Sequence, residues 1–298
     1  MNLFQRREPS TWERLLNDPL LTTARWLYQG CTSHASSIAD SPATPSLLRV
    51  VCISDTHNHH IALGTLPSGD ILIHAGDLTQ SGTVDEVQSA LRWLSEQPHP
   101  HKLLIAGNHD QALAEESPTR RDLLSEFPGL KYLHDSTIEV TVRQRTLSIY
   151  GSPLTPKHGN WPMQYERDRA DWSRIPLGTD ILVTHGPPAF HLDGEWHSGC
   201  RALLNALWSL RPRLHVFGHI HVARGVEEVT WDARQHAFER FLRYRGLWHF
   251  VQLVFAMLRP QKVRAPRTTL VNAASAGGFR DEPQARGCRR DNLSLKEI

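Results

Sequence analysis

Five short segments of this chain place histidine, carboxylate or amide side chains immediately after an apolar run. They are Ser54-Asp55-Thr56-His57, Ala75-Gly76-Asp77, Gly107-Asn108-His109-Asp110, Thr184-His185-Gly186 and Gly218-His219-Ile220-His221. Mixed imidazole and oxygen ligands without a thiolate suit Mn, Fe or Zn better than Cu(I) or a structural zinc. Two such cations held close together make a hydroxide near neutral pH and neutralise phosphate charge. The chemistry implied is metal-assisted hydrolysis of a phosphoester.

Within the segments, Asp55 and His57 are two residues apart, and so are His219 and His221. In an extended chain that spacing points both side chains the same way. Asp77 has two oxygens and can bridge two cations. Asn108 offers a neutral carbonyl oxygen, and His185 an imidazole nitrogen. Each segment has a plainer reading when taken singly. Asp-x-His and Gly-Asp are common turns, Asn-His-Asp can cap a helix, and Thr-His-Gly can be an ordinary loop. What departs from the plain reading is the ordered set of five, each at a strand end.

The elements that must position them follow from apolar patterning. Leu48–Ile53, Ile71–Ala75, Lys102–Ala106, Thr146–Tyr150, Ile181–Thr184, Leu214–Gly218 and Thr269–Ala273 read as buried strands rich in Val, Ile and Leu. Thr83-Val84-Asp85-Glu86 predicts a capping box opening a helix to about Gln97, with Val84, Val87, Leu91 and Leu94 on its inner face. Residues 199–210 predict a second helix ended by Pro212, and 131–150 antiparallel strands or a hairpin. This pattern is α/β, with two mixed sheets face to face and helices outside. Residues 1–46 read as short helices broken near Pro19, followed by a Ser/Pro/Ala-rich linker from about 32. The main domain then runs over 47–298.

The bulk properties narrow the class. The chain has 298 residues with 40% apolar content, enough for a sizeable core. A net charge of +2 provides no global field for nucleic acid, so no nucleic-acid partner is expected. The four cysteines are widely spaced, which points to a reducing, intracellular and cytoplasmic setting. Glu13, Asp18, Pro19 and Arg25 interrupt the N-terminal apolar residues, so no secretory signal is expected there.

The ordered set of five segments resembles the calcineurin-like metallophosphoesterases over residues about 49–275. Tyr150-Gly151-Ser152-Pro153, Thr184-His185-Gly186-Pro187-Pro188, Gly199-Cys200 and His215-Val216-Phe217-Gly218-His219-Ile220-His221 are similar to a narrower group. That group is the metallophosphoesterase-domain-containing subgroup related to brain-type phosphodiesterases, in a fungal-like version. The resemblance implies a four-layer αββα sandwich and a two-metal site holding two divalent ions or an Fe3+/M2+ pair. It implies that Asp55, His57 and His221 hold one metal, that Asn108, His185 and His219 hold the other, and that Asp77 bridges them. It further implies that His109 lies beside the scissile phosphate, with Asp110 orienting it through a hydrogen bond. A metal-activated hydroxide would attack phosphorus, and His109 would assist the leaving oxygen. Two stretches depart from the family pattern: an insertion at about 226–266, and the tail from Arg289 onward.

A phosphodiesterase acting on a small ester is the first expectation for function. The alternatives are a phosphomonoesterase of proteins or small molecules, and a non-catalytic metal-binding scaffold of the same fold. The loop from Gly151 to Pro176 carries Trp161, Tyr165 and Trp172 with Lys157, Arg167 and Arg169. Trp161 and Tyr165 are candidates to contact substrate by stacking. The competing reading is that these aromatics pin a long loop to its domain. In the insertion, Leu247–Leu258 is an apolar run too short to span a bilayer, flanked by arginines with no acidic residue over 240–267. Such a helix either buries itself on its own domain or lies on an anionic membrane surface.

Overall fold

The computed structural model describes residues 10–32, 47–114, 118–167, 169–259, 265–275 and 294–297. The chain divides into two units, one formed by 43–229 with 267–298 and the other by 1–42 with 230–266.

In the larger unit, strands β1 (Arg49–Ile53), β2 (Ile71–Ala75), β3 (His101–Ile105) and β4 (Leu130–Tyr132) run parallel, and β13 (Ser294–Glu297) pairs antiparallel to β1. A second sheet has the order β11 (Gly225–Thr230), β12 (Arg267–Asn272), β10 (Leu214–Phe217), β9 (Ile181–Thr184), β6 (Arg145–Ser152) and β5 (Ser136–Val142). Strands β12, β10, β9 and β6 are mutually parallel, while β5 and β6 form the expected antiparallel hairpin. The stretch 131–150 is therefore shared between the sheets, because Asp135 turns the chain in a left-handed conformation after β4. A small third sheet pairs β7 (Thr155–Pro156) with β8 (Gln164–Tyr165).

The central strands β1, β2, β9 and β10 are buried on both faces, as parallel strands between layers must be. Successive side chains of β1 alternate between layers. Val50 and Cys52 join a core with Ile71, Ile73, Ile149, Val183 and Val216 between the two sheets. Val51 and Ile53 instead face Val87, Leu91 and Leu94 of α3 (Val84–Ser95) on the outside. Helix α3 opens on the expected capping box, with Thr83 Oγ1 accepting from Glu86 N and the Glu86 carboxylate accepting from Thr83 N. Short helices α4 (Gln111–Ala114) and α5 (Pro118–Ser125) contribute to the same outer core through Leu113 and Leu123. On the other half, α6 (Arg201–Leu210) buries Leu203, Leu204 and Leu207. Two mixed sheets lie face to face with helices outside, the αββα arrangement that the sequence pattern predicts.

The smaller unit is helical. Helices α1 (Thr11–Asn17) and α2 (Pro19–Thr32) break at Asp18–Pro19, where proline cannot continue the helix. The insertion supplies α7 (Ala233–Tyr244) and α8 (Gly246–Leu258). Tyr28 of α2 stacks on Phe238 of α7 at 4.1 Å, and its hydroxyl meets Gln235. Asp18 pairs with Arg245 at 3.0 Å. The N-terminal helices and the insertion helices thus share one small core.

Candidate metal centre

All five segments lie at the C-terminal ends of parallel strands: β1, β2 and β3 of one sheet, β9 and β10 of the other. Open α/β sheets place their sites there because loops can carry polar groups on a rigid base. The loops are stitched to one another through the backbone. Asp55 N donates to Gly76 O at 2.9 Å, and Gly218 N donates to His185 O at 3.0 Å. Asn272 donates to Ile220 O at 3.0 Å, and Ser275 Oγ to Asp55 O at 2.8 Å.

The side chains converge in two linked groups. His221 Nε2 is 3.1 Å from Asp55 Oδ1 and 3.3 Å from His57 Nε2. His185 Nε2 is 3.2 Å from Asp77 Oδ2 and 3.2 Å from Asn108 Oδ1. Asp77 Oδ2 also stands 3.8 Å from His57 Nε2, so this carboxylate lies between the groups. His219 joins Asp77 and His185, with ligand atoms within 4.8 Å of one another. His109 is placed in the same way beside His57 and Asp77.

Hydrogen bonds on the far side of the rings fix their tautomers. His57 Nδ1 donates to Thr79 O at 3.1 Å, and His185 Nδ1 donates to Ala75 O at 2.8 Å. A neutral imidazole bonded this way presents its Nε2 lone pair inward, the arrangement that metal-binding histidines use. Lone pairs of nitrogen, carboxylate and amide oxygen then face one another at contact distance in a buried place. A cation resolves that crowding of acceptors, so the residues fit a metal. Oxygen and imidazole ligands in this number suit Mn, Fe or Zn.

The electrostatics set His57 and His219 apart from His185. Burial pushes the Asp77 carboxyl up, yet the imidazoles of His185 and His57 beside it hold it below the usual carboxylate range. Burial lowers His185, but Asp77 against it and Asp55 nearby raise it to about 9. A proton on its Nε2 would occupy the side of the ring that faces Asp77 and Asn108. His219 is pushed down to about 3 by burial and by His185, and burial also lowers His57, which keeps both neutral and able to donate a lone pair.

The backbone carries strain at these positions. Asp55, His57, Asp77 and His219 all have positive φ, between 41° and 67°. Non-glycine residues rarely adopt that region, and clusters of them mark functional sites. Two glycines make room for the carboxylates. A Cβ on Gly218 would come 2.0 Å from Asp55 Oδ2, and one on Gly107 would come 2.2 Å from Asp77 Oδ1.

One sequence expectation is corrected. Asp110 makes no hydrogen bond to His109. Its Oδ2 accepts from Gly107 N at 2.8 Å and Leu78 N at 3.2 Å, and its Oδ1 from Thr79 N at 3.0 Å and Thr79 Oγ1 at 2.8 Å. Asp110 therefore clamps the Asp77 loop to the Asn108 loop. The amides of Leu78, Thr79 and Gly107 turn inward, and the fully buried Asp110 carboxylate satisfies them. Burial and the nearby Asp77 charge raise its carboxyl to about 6. His109 is held instead by Gln80, whose carbonyl accepts from Nδ1 at 2.7 Å, and its own amide donates to Asp77 Oδ1 at 2.8 Å.

The two substrate candidates part company. The Trp161 ring lies over His109 with centroids 4.3 Å apart, and it is 44% exposed. Tyr165 turns edge-on to Trp172 at 5.7 Å, with its buried hydroxyl beside Cys200. It pins the loop and is not brought to the histidines, because a loop of this length needs an apolar anchor. Sequence reasoning missed His158, whose ring lies 4.7 Å from that of His219. It also missed His74, which is buried, lowered to about 3 by burial, and hydrogen-bonded to the Thr56 hydroxyl at 3.0 Å. Neither residue sits in a recognisable motif, and only the meeting of loops shows their place.

Residues 48–223 match the family described as calcineurin-like phosphoesterase. The chain is 40% identical over 219 residues to metallophosphoesterase domain-containing protein 1 of Homo sapiens, with 63% of this chain and 64% of that protein covered. It is 32% identical over 233 residues to a UPF0046 protein of Caenorhabditis elegans, covering 71% of this chain and 83% of that protein. It is also 42% identical over 293 residues to probable rhamnogalacturonate lyase C of Emericella nidulans. That match takes 94% of this chain but only 27% of the fungal protein, so this chain spans about a quarter of that relative and under two thirds of the human one. By sequence, by its sandwich of two mixed sheets and by the ligand-bearing strand ends, this chain belongs to the calcineurin-like phosphoesterase family.

Proposed function

We propose that this chain is a metal-dependent phosphoesterase that hydrolyses small phosphodiesters. The observation that carries the reading is the placement of Asp77 between two imidazole groups, 3.2 Å from His185 and 3.8 Å from His57. In this reading Asp55, His57 and His221 would hold one cation, Asn108, His185 and His219 would hold a second, and Asp77 would serve both. When bound, the pair supplies a nucleophile at neutral pH and neutralises phosphate charge.

The chain's own residues do the rest. Thr79 and Ala75 carbonyls hold the His57 and His185 rings in one tautomer and orientation. Asp110 locks the two loops so that Asp77 and Asn108 keep their places. His109 is anchored through Nδ1 on the Gln80 carbonyl, and in its doubly protonated form it offers the Nε2 proton to the leaving oxygen. Trp161 provides a flat, partly exposed face beside His109, suited to stacking an aromatic or nucleobase leaving group. The preference for a diester rests on the resemblance of the ordered segments to the brain-type phosphodiesterase-related subgroup. The net charge of +2 offers no attraction for a long polyanion, so the substrate is a small ester.

The test is turnover of a bis-aryl phosphodiester and an aryl phosphomonoester by protein loaded with Mn, Fe or Zn. Faster diester hydrolysis is expected. Monoester preference would move the reading to phosphomonoesterase, and no turnover of either ester with bound metal would leave a scaffold.

A further inference from the structure

Helix α8 divides its apolar residues between two sides. Leu253, Ala256 and Met257 are buried, and Phe250 packs edge-on against Phe241 at 5.9 Å. The opposite side carries Leu247, Trp248, Phe255 and Leu258, which are 63% to 77% exposed. Val251 stands between them, partly buried. Spacings of three, four and seven place these side chains on one stripe of the helix. A water-facing stripe of this kind is normally polar, so a contiguous apolar one marks a contact surface.

The charges around it point to the occupant. Residues 233–259 carry five arginines and one glutamate. That glutamate, Glu239, is buried and accepts from the Gln235 amide at 2.7 Å. Asp232 caps α7, Asp18 pairs with Arg245 at 3.0 Å, and Glu13 closes the capping box of α1. The acidic side chains among the described residues of this unit are thus turned to internal work. Arg240, Arg243 and Arg259 are exposed, with Arg243 lying over the Tyr244 ring at 5.0 Å. Apolar side chains including Trp, flanked by Tyr and arginine, match the boundary between acyl chains and anionic headgroups. A second copy of the chain fits less well, since a two-fold contact would bring identical basic borders together. The helix spans 13 residues, and no helix among the described residues is long and apolar enough to cross a membrane.

We propose that α8 docks this protein on an anionic bilayer surface, inserting Trp248 and Phe255 between lipids while the neighbouring arginines meet headgroup charge.

The experiment is co-sedimentation of the full chain with vesicles, in phosphatidylcholine alone and with about 30 mol% phosphatidylserine. Strong sedimentation with the anionic vesicles at low salt is expected, with roughly tenfold less in neutral vesicles or at about 0.5 M salt. The double variant Trp248→Glu, Phe255→Glu should lose sedimentation and keep the wild-type unfolding midpoint. Should that variant misfold, Arg240→Glu with Arg243→Glu replaces it and should lose binding too. Absence of sedimentation with anionic vesicles at low salt overturns the proposal. So does a folded variant of either kind that sediments like wild type. A dimeric wild type that neither vesicle captures, made monomeric by the double variant, would instead assign the stripe to self-association.

Discussion

The Nε2 atoms of His57 and His221 lie 3.3 Å apart, although the His57 ring already spends its Nδ1 proton on the Thr79 carbonyl. Two imidazole nitrogens drawn together beside Asp55 make sense around a shared cation. His185, Asp77 and Asn108 crowd together in the same way on the other side of the candidate centre.

Chelation should therefore destabilise the larger unit as well as abolish turnover. A ligand present at about 1,000 times its dissociation constant stabilises by about 4 kcal/mol. Thermal unfolding with and without a strong chelator should show a lower midpoint in the stripped protein, restored by Mn or Zn. An unchanged midpoint would count against metal in this centre.

Gly218→Ala should be far more damaging than Gly186→Ala. The added methyl at 218 meets Asp55 Oδ2 at 2.0 Å, whereas at 186 its nearest neighbour is Thr155 Cγ2 at an ordinary 3.5 Å. Overpacking of this kind costs about 1–3 kcal/mol, and it displaces Asp55 from His221. Elemental analysis should find metal lost in Gly218→Ala and kept in Gly186→Ala. Equal metal content in the two would show that Asp55 tolerates the displacement.

Asp110→Asn should act on stability first. The amide brings an N–H where a carboxylate oxygen accepts from Leu78, Thr79 or Gly107. A buried donor left facing donors costs about 1–3 kcal/mol. Urea unfolding of the metal-loaded variant should shift by that amount. A variant with unaltered stability and lost turnover would return Asp110 to a direct role in the reaction.

His109→Ala should lower turnover by about 10²–10⁴ with metal content intact, as loss of a proton donor does. Trp161→Ala should instead raise KM for esters with aromatic leaving groups, by the roughly 1–3 kcal/mol that stacking contributes. Steady-state kinetics on aryl and alkyl diesters separates the two. A KM effect equal for both ester types would remove the stacking role of Trp161.

Much of the candidate centre was legible because side chains that can hold a metal are few in type and here follow strands. Asp55, His57, Asp77, Asn108, His185, His219 and His221 could be picked from the chain by residue type and position after an apolar run. The capping box at Thr83 and Glu86 and the hairpin of β5 and β6 were equally local, depending on residues close in sequence. Side-chain chemistry, strand periodicity and the cap signals are properties of short segments, so the linear chain determined them.

Which atom faces which was decided only by the tertiary structure. Asp110 and His109 are adjacent in sequence, yet they turn to Leu78 and Gln80 on another loop. Trp161 and Tyr165 are four residues apart in sequence, yet it is the Trp161 ring that packs on His109 while Tyr165 packs on Trp172. His158 meets His219 and α2 meets α7 across long sequence separations that no motif encodes. The outward stripe of α8 was hidden in a mostly apolar run, because hydrophobicity alone does not say which side finds a partner. Orientation and long-range contact depend on how packed layers bring distant segments together, and that information exists only once the chain has folded.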